Sequence, residues 1–189
     1  MNKRFIISGL PRSGTAWASL LLSRCTGVFC WHEAVQHGDK FNCYEAAFEA
    51  PNAEITGDST TCTLPEFDAF EATRVWIDRD PGESLASYAE QIGSLAHHSF
   101  GTIEILAAEW KRKHHPRRIS FANLFNVSDD VAFLEARRLV LYCTGLDLLS
   151  KLDWLAMRQL HVQIHGLSAD YYDDRKIITS IHPANAVPA

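Results

Sequence analysis

The chain has 189 residues, enough for one domain with a sizeable core and too few for two independent ones. Apolar residues make up 47% and charged residues 22%, which excludes disorder or a fibrous repeat as the default state. Eighteen Lys and Arg against 23 Asp and Glu leave a formal charge of -5, which argues against a nucleic-acid coat or an anionic membrane surface as general partner.

In chain order, the basic start Met1 to Arg4 is followed by an apolar run from Phe5 to Leu10 that is too short for a secretory core. Arg4 to Ser8 reads as a buried strand, and Thr15 to Arg24 as a helix with Gly27 as its C-cap. Ala53 to Thr56 and Arg74 to Asp78 are further strands; Gly82 to Leu95 and Thr102 to His114 are helices. Arg117 to Phe121 reads as another strand, Asp129 to Thr144 as a helix opened by two acidic residues and closed before Gly145, and Lys151 to Ile164 as the last helix. Strands alternating with helices predict a single α/β domain of three layers, with a mostly parallel sheet that binds ligands at the carboxyl ends of its strands. No apolar run is long enough to span a membrane. Cys25, Cys30, Cys43, Cys62 and Cys143 form no C-x-x-C pair, which fits reduced thiols in a cytoplasmic protein.

The first strand end carries the chemistry. Gly9-Leu10-Pro11-Arg12-Ser13-Gly14-Thr15 joins strand to helix, the position of a phosphate loop, where backbone N–H groups and a helix N-terminus meet an anion. The ATP-binding version continues Gly-Lys-Ser/Thr; here Thr15 and Ala16 follow Gly14, so the phosphate-clamping lysine is missing. Arg12 supplies a cation from inside the loop, with a planar fork that fits two oxygens. A plain Gly-Pro connecting turn is the alternative.

Gly9 to Trp17 (GLPRSGTAW) resembles the 5′-phosphosulfate loop of sulfotransferases that use 3′-phosphoadenosine-5′-phosphosulfate, with Ala16 in place of a second Thr. The family's second signature, a strand ending in Arg followed by x-Pro and a Ser eight residues after the Arg, has its counterpart in Val75 to Pro81 with Arg79 and Ser87. A third stretch, Arg118 to Leu124 and then Phe133 to Leu146, resembles the family's later strand, turn and closing helix, with Ala122-Asn123 where Glu-Asp is usual. The likeness spans about residues 4–146. The tail from 147 onward is unmatched, and Arg175-Lys176 is followed by Ile177 rather than the glycine of the family's C-terminal motif.

The resemblance implies a P-loop-type fold and a sulfuryl donor held by Pro11, Arg12, Ser13, Gly14, Thr15 and Ala16. It further implies that Arg79 and Ser87 bind the 3′-phosphate, that the product nucleotide is adenosine 3′,5′-bisphosphate, and that no metal is required. Transfer of the sulfuryl group leaves charge on the leaving oxygen, so cations and backbone donors are needed there: Arg12, the N–H groups of Ser13 to Ala16 and the Thr15 hydroxyl. The acceptor needs a base. In the tyrosylprotein-like branch this is a glutamate 18 residues after the loop threonine, which falls on Glu33, with His32 beside it as the second candidate. An exposed strand-end pair is the alternative for both residues.

Lys111 to Arg118 is strongly basic and reads as a solvated helix end, with docking of an acidic acceptor or the nucleotide phosphate as the alternative. His97-His98 and His114-His115 diverge too far for shared metal binding, and Trp110 and Trp154 read as core. Gly57 to Thr61 reads as a turn that lines a pocket or caps a helix at Ser59 or Thr60. The expectation is a sulfotransferase acting on an unidentified hydroxyl or amine acceptor. A P-loop phosphotransferase with an altered loop and an inactive nucleotide-binding module are the alternatives.

Overall fold

Five short runs of β-branched and aromatic residues build the sheet. In the computed structural model, which describes residues 3–33, 53–61, 68, 71–125 and 127–158, they are β1 (Lys3–Gly9), β2 (Val28–His32), β3 (Ile55–Thr60), β4 (Thr73–Asp78) and β5 (Arg117–Ser120). All neighbours pair in parallel, in the order β2-β3-β1-β4-β5. The helices are α1 (Thr15–Ser23), α2 (Pro81–Ile92), α3 (Leu95–His114), α4 (Phe121–Phe125), α5 (Asp129–Thr144) and α6 (Lys151–Arg158). The protein is thus an α/β layered fold with helices flanking an all-parallel sheet, as expected.

One face of the sheet packs on α1, α5 and α6 around Phe5, Ile7, Val75, Ile77 and Ile119. Trp154 is fully buried there, 5.6 Å from the Phe133 ring, and the indole N–H of Trp17 donates to the Met157 carbonyl at 3.1 Å. The opposite face meets the α2–α3 pair through Trp76 and Trp110, whose rings lie 6.0 Å apart. Trp110 and Trp154 are core residues, as the pattern predicts.

The chain enters at β1 in mid-sheet, moves outward through α1 to β2, returns through β3 and then crosses to β4 on the far side. Chain direction across the sheet therefore reverses beside β1, and parallel sheets hold ligands at such a switch point, off the carboxyl ends of the strands.

Several boundaries differ from the sequence reading. Strand β3 runs through the segment read as a turn, so Ser59 and Thr60 cap no helix; they are fully buried strand residues, and the Ser59 hydroxyl donates to the Thr15 carbonyl at 2.8 Å. Helix α1 closes on Arg24, and Gly27, with φ 75°, serves instead the turn into β2. Phe121 opens α4 rather than ending β5, because the Ser120 hydroxyl accepts the Asn123 N–H at 3.2 Å and turns the chain. Helix α3 starts at Leu95, with Gly101 inside it. Residues 159–164 of the expected last helix, Arg175, Lys176, Cys43 and Cys62 lie outside the described residues. Among the described residues no helix is long and apolar enough to cross a membrane.

Candidate functional site

The loop after β1 is shaped by residues that leave room. A Cβ on Gly9 would lie 2.0 Å from the Ser13 hydroxyl, so only glycine lets that side chain fold back over the strand end. Gly14 has φ 85° and sits against the Phe125 ring, where a Cβ would meet ring carbon at 2.9 Å. Between them Arg12 also takes the left-handed conformation, φ 67°, which an arginine adopts only at a conformational cost.

The Ser13 N–H is committed to the Leu10 carbonyl at 3.1 Å and closes the turn. It is therefore withdrawn from the set of expected donors. The N–H groups of Gly14, Thr15 and Ala16 remain at the open N-terminus of α1, which has no side-chain cap. The buried Ser13 hydroxyl has no hydrogen-bond partner either. Donors without protein acceptors on a glycine-shaped turn make a cradle suited to an anion.

Arg79 and Ser87, far along the chain, close this cradle. Helix α2 follows β4 directly, with Asp80 accepting the Glu83 N–H at 3.0 Å and Pro81 at the first helical position. That start aims three side chains at the loop. Arg79 donates from Nη1 to the Arg12 carbonyl at 2.5 Å, Ser84 donates to the Pro11 carbonyl, and Arg12 donates from Nε to the Ser87 hydroxyl at 3.2 Å. The Arg79 guanidinium also lies 4.3 Å from the centroid of Phe121, and its buried Nε has no hydrogen-bond partner, with Glu83 3.9 Å away. Burial pulls Arg79 below the usual arginine range, with Glu83 opposing and Arg12 adding to the fall. An anion between the two guanidiniums would relieve both effects.

Across the site, β2 ends in His32, with Glu33 next in the chain. The His32 ring donates from Nδ1–H to the Ser59 carbonyl at 2.8 Å, an assignment fixed by that acceptor, and turns Nε2 towards Glu33 Oε1 at 3.9 Å. Glu33, at φ 56°, is pinned by its own N–H on the Ser59 carbonyl at 3.0 Å and by the Thr61 hydroxyl on Oε1 at 2.7 Å. The side chains are 8% and 18% exposed, so the pair is not a solvated strand end. Oε2 accepts no hydrogen bond among the described residues.

The structure joins Arg12, Arg79 and Ser87 in one bonded group and His32 and Glu33 in another, both at the carboxyl edge of the sheet. Three contributors were not singled out from sequence: Ser84, Phe121 and Phe125. Ser84 lies between Arg79 and Ser87 in the same signature, and the two phenylalanines stand four apart after a strand; Thr61 belongs to the segment from Gly57 read as a pocket-lining turn, and its hydroxyl reaches Glu33. Among the described residues no group of three His, Cys, Asp or Glu could hold a metal ion. No family model, no curated protein and no solved structure matches this chain. The chemistry of the site is therefore read from its own residues.

Proposed function

We propose that the protein is a sulfotransferase, taking a sulfuryl group from 3′-phosphoadenosine-5′-phosphosulfate and passing it to a hydroxyl or amine acceptor in a cytoplasmic setting. The observation that carries this reading is the direct bonding of two distant signatures, Arg79 on the Arg12 carbonyl and Arg12 on Ser87, around a loop with no clamping lysine.

The residues present fit a nucleotide with anionic groups at both ends. Gly14, Thr15 and Ala16 N–H groups, the Ser13 hydroxyl and Arg12 would hold the 5′ end, and Arg79 with Ser87 the 3′-phosphate. When bound, the donor supplies an activated sulfuryl group on a phosphate leaving group. Arg12 and the free N–H groups at the start of α1 would then face the oxygen on which charge grows, fixed in place before reaction. Glu33 Oε2 would take the acceptor's proton, with Oε1 held by Thr61, and His32 Nε2 is the second site that can receive it.

A thermal shift with adenosine 3′,5′-bisphosphate, compared with AMP and with ATP plus magnesium, tests the reading. At a hundred times Kd the bound state gains about 2.7 kcal/mol, a rise of roughly 5 to 11 °C for a chain of this size. Selective stabilisation by the 3′,5′-bisphosphate is the expected result. Stabilisation by ATP with magnesium alone would make the protein a phosphotransferase instead.

A further inference from the structure

The end of α3 and the start of β5 enclose a second feature, a groove of about 420 Å³ lined by Lys111, Arg112, His115, Pro116 and Arg118. Neither the loop from Gly9 to Ala16 nor Arg79 lines it. Of the five described residues that line it, four are basic, in a chain whose formal charge is -5.

The basic run does not behave as a uniformly solvated helix end. Its members outside the groove are answered within the chain: Lys113 and His114 both bond Asp68, and the Arg117 guanidinium lies 5.0 Å from the Tyr142 ring centroid. Of the groove residues Arg118 is paired with Asp78, whereas Lys111 and Arg112 have no carboxylate partner among the described residues. Lys111 Nζ sits 4.7 Å from the centroid of the buried Trp76 ring, which fixes its direction without cancelling its charge. Arg118 is clamped by Asp78 through Nε and Nη2 at 2.5 and 2.8 Å, leaving Nη1 unbonded among the described residues. Arg112 has no hydrogen-bond or ion-pair partner among them.

His115 adds a backbone signature. It caps α3 at φ 45° and ψ 54°, a left-handed conformation that glycine takes far more readily, and Pro116 stops the helix from continuing. Lys111 and His115 stand one turn apart. An arginine fork, an ammonium and an imidazole along one groove, with no carboxylate among its described lining residues, match a tetrahedral oxyanion, which offers acceptors in several directions.

We infer that this groove is a second anion site, separate from the loop after β1, for a doubly charged tetrahedral oxyanion: phosphate or sulfate, free or as the ester head of a small molecule. The inference does not depend on the sulfotransferase reading.

The test follows amide ¹H–¹⁵N shifts of the full chain titrated at constant ionic strength with inorganic phosphate, with sulfate and with glycerol 3-phosphate, against chloride. Residues 111–118 are expected to shift and saturate on a curve distinct from that of residues 9–16. Arg112→Gln should weaken the groove curve about tenfold and leave the loop curve in place. His115→Gly should do the same while keeping the helix end, because glycine accepts the left-handed cap. Tighter binding of glycerol 3-phosphate than of phosphate marks an ester ligand; equal binding marks the free ion. The inference is overturned if no anion gives a saturable change at 111–118, or if both variants leave that change intact. It is equally overturned if adenosine 3′,5′-bisphosphate moves groove and loop amides on one curve, since the groove would then be an arm of the nucleotide site. Failure of the nucleotide to move the loop amides would count against the sulfotransferase reading alone.

Discussion

Arg12, Glu33 and His115 are the non-glycine residues with left-handed backbone among those described; Arg12 lies in the loop after β1, Glu33 at the end of β2 and His115 at the end of α3. Such a conformation costs about 1 kcal/mol or more per residue and persists where the surroundings over-determine it. At Glu33 the surroundings are two bonds, its own N–H on Ser59 and the Thr61 hydroxyl on Oε1. Different substitutions should separate binding from transfer. Arg79→Ala, which removes a half-buried guanidinium, should weaken adenosine 3′,5′-bisphosphate roughly 10- to 100-fold by calorimetry. Glu33→Gln should leave that affinity unchanged and lower single-turnover transfer by about 10²- to 10⁴-fold. Thr61→Val should lower transfer about tenfold, with Thr61→Ser restoring it, because only the hydroxyl is needed to orient the carboxylate. If Glu33→Gln turns over like the parent, the proton goes elsewhere, and His32 Nε2 is the next group in reach.

Strand β3 shows what an element can hide. Gly57 lies directly opposite Phe5 in the sheet, and a Cβ on it would come within 2.3 to 2.5 Å of three ring carbons. The ring is fully buried and has nowhere to move, so Gly57→Ala should cost about 1 to 3 kcal/mol and lower Tm by roughly 2 to 12 °C, measured by calorimetry. The same glycine, followed by Asp58 and Ser59, gives the segment the composition of a turn, and local chemistry alone ends the strand at Thr56 where tertiary packing carries it to Thr60. Strand β2 is similarly hard to read, since five residues beginning Val-Phe-Cys-Trp show no alternation when both faces are covered. By contrast α5 is legible to the residue, from two acidic residues at its start to Gly145 at φ 71°, because both ends are written in local capping chemistry. The loop after β1 is legible for the same reason: Gly9, Arg12 and Gly14 fall within six consecutive residues. Phe121 and Phe125 join the site only through the fold, and no spacing near the loop announces them.

At the scale of the whole molecule, three thiols meet where α1, β2 and α5 close the core. Cys25, Cys30 and Cys143 are free and buried. Burial pushes Cys25 up to about 11, helped by Asp153; it pushes Cys30 well above the usual thiol value of 9.0, helped by Asp58 and then Cys143; and it does the same to Cys143, with Cys25 adding and Arg117 opposing. A thiol raised in the folded state holds its proton where the unfolded chain has lost it. Its contribution is therefore complete below pH 9.0 and is lost as pH rises through the folded value. Stability should be flat in this respect up to about pH 9 and then fall, each thiol adding up to about 1.4 kcal/mol per pH unit to the slope. Tm measured from pH 8 to 11 checks this in a Cys43→Ser, Cys62→Ser background, and adding Cys143→Ala should shallow the alkaline limb. In that background, alkylation at pH 8 should proceed only through global opening, and adenosine 3′,5′-bisphosphate should slow it by the factor 1 + [L]/Kd if the nucleotide binds the folded state alone. Alkylation that is fast and indifferent to the nucleotide would mean that the α1–β2–α5 junction opens on its own, without unfolding the loop that α1 anchors.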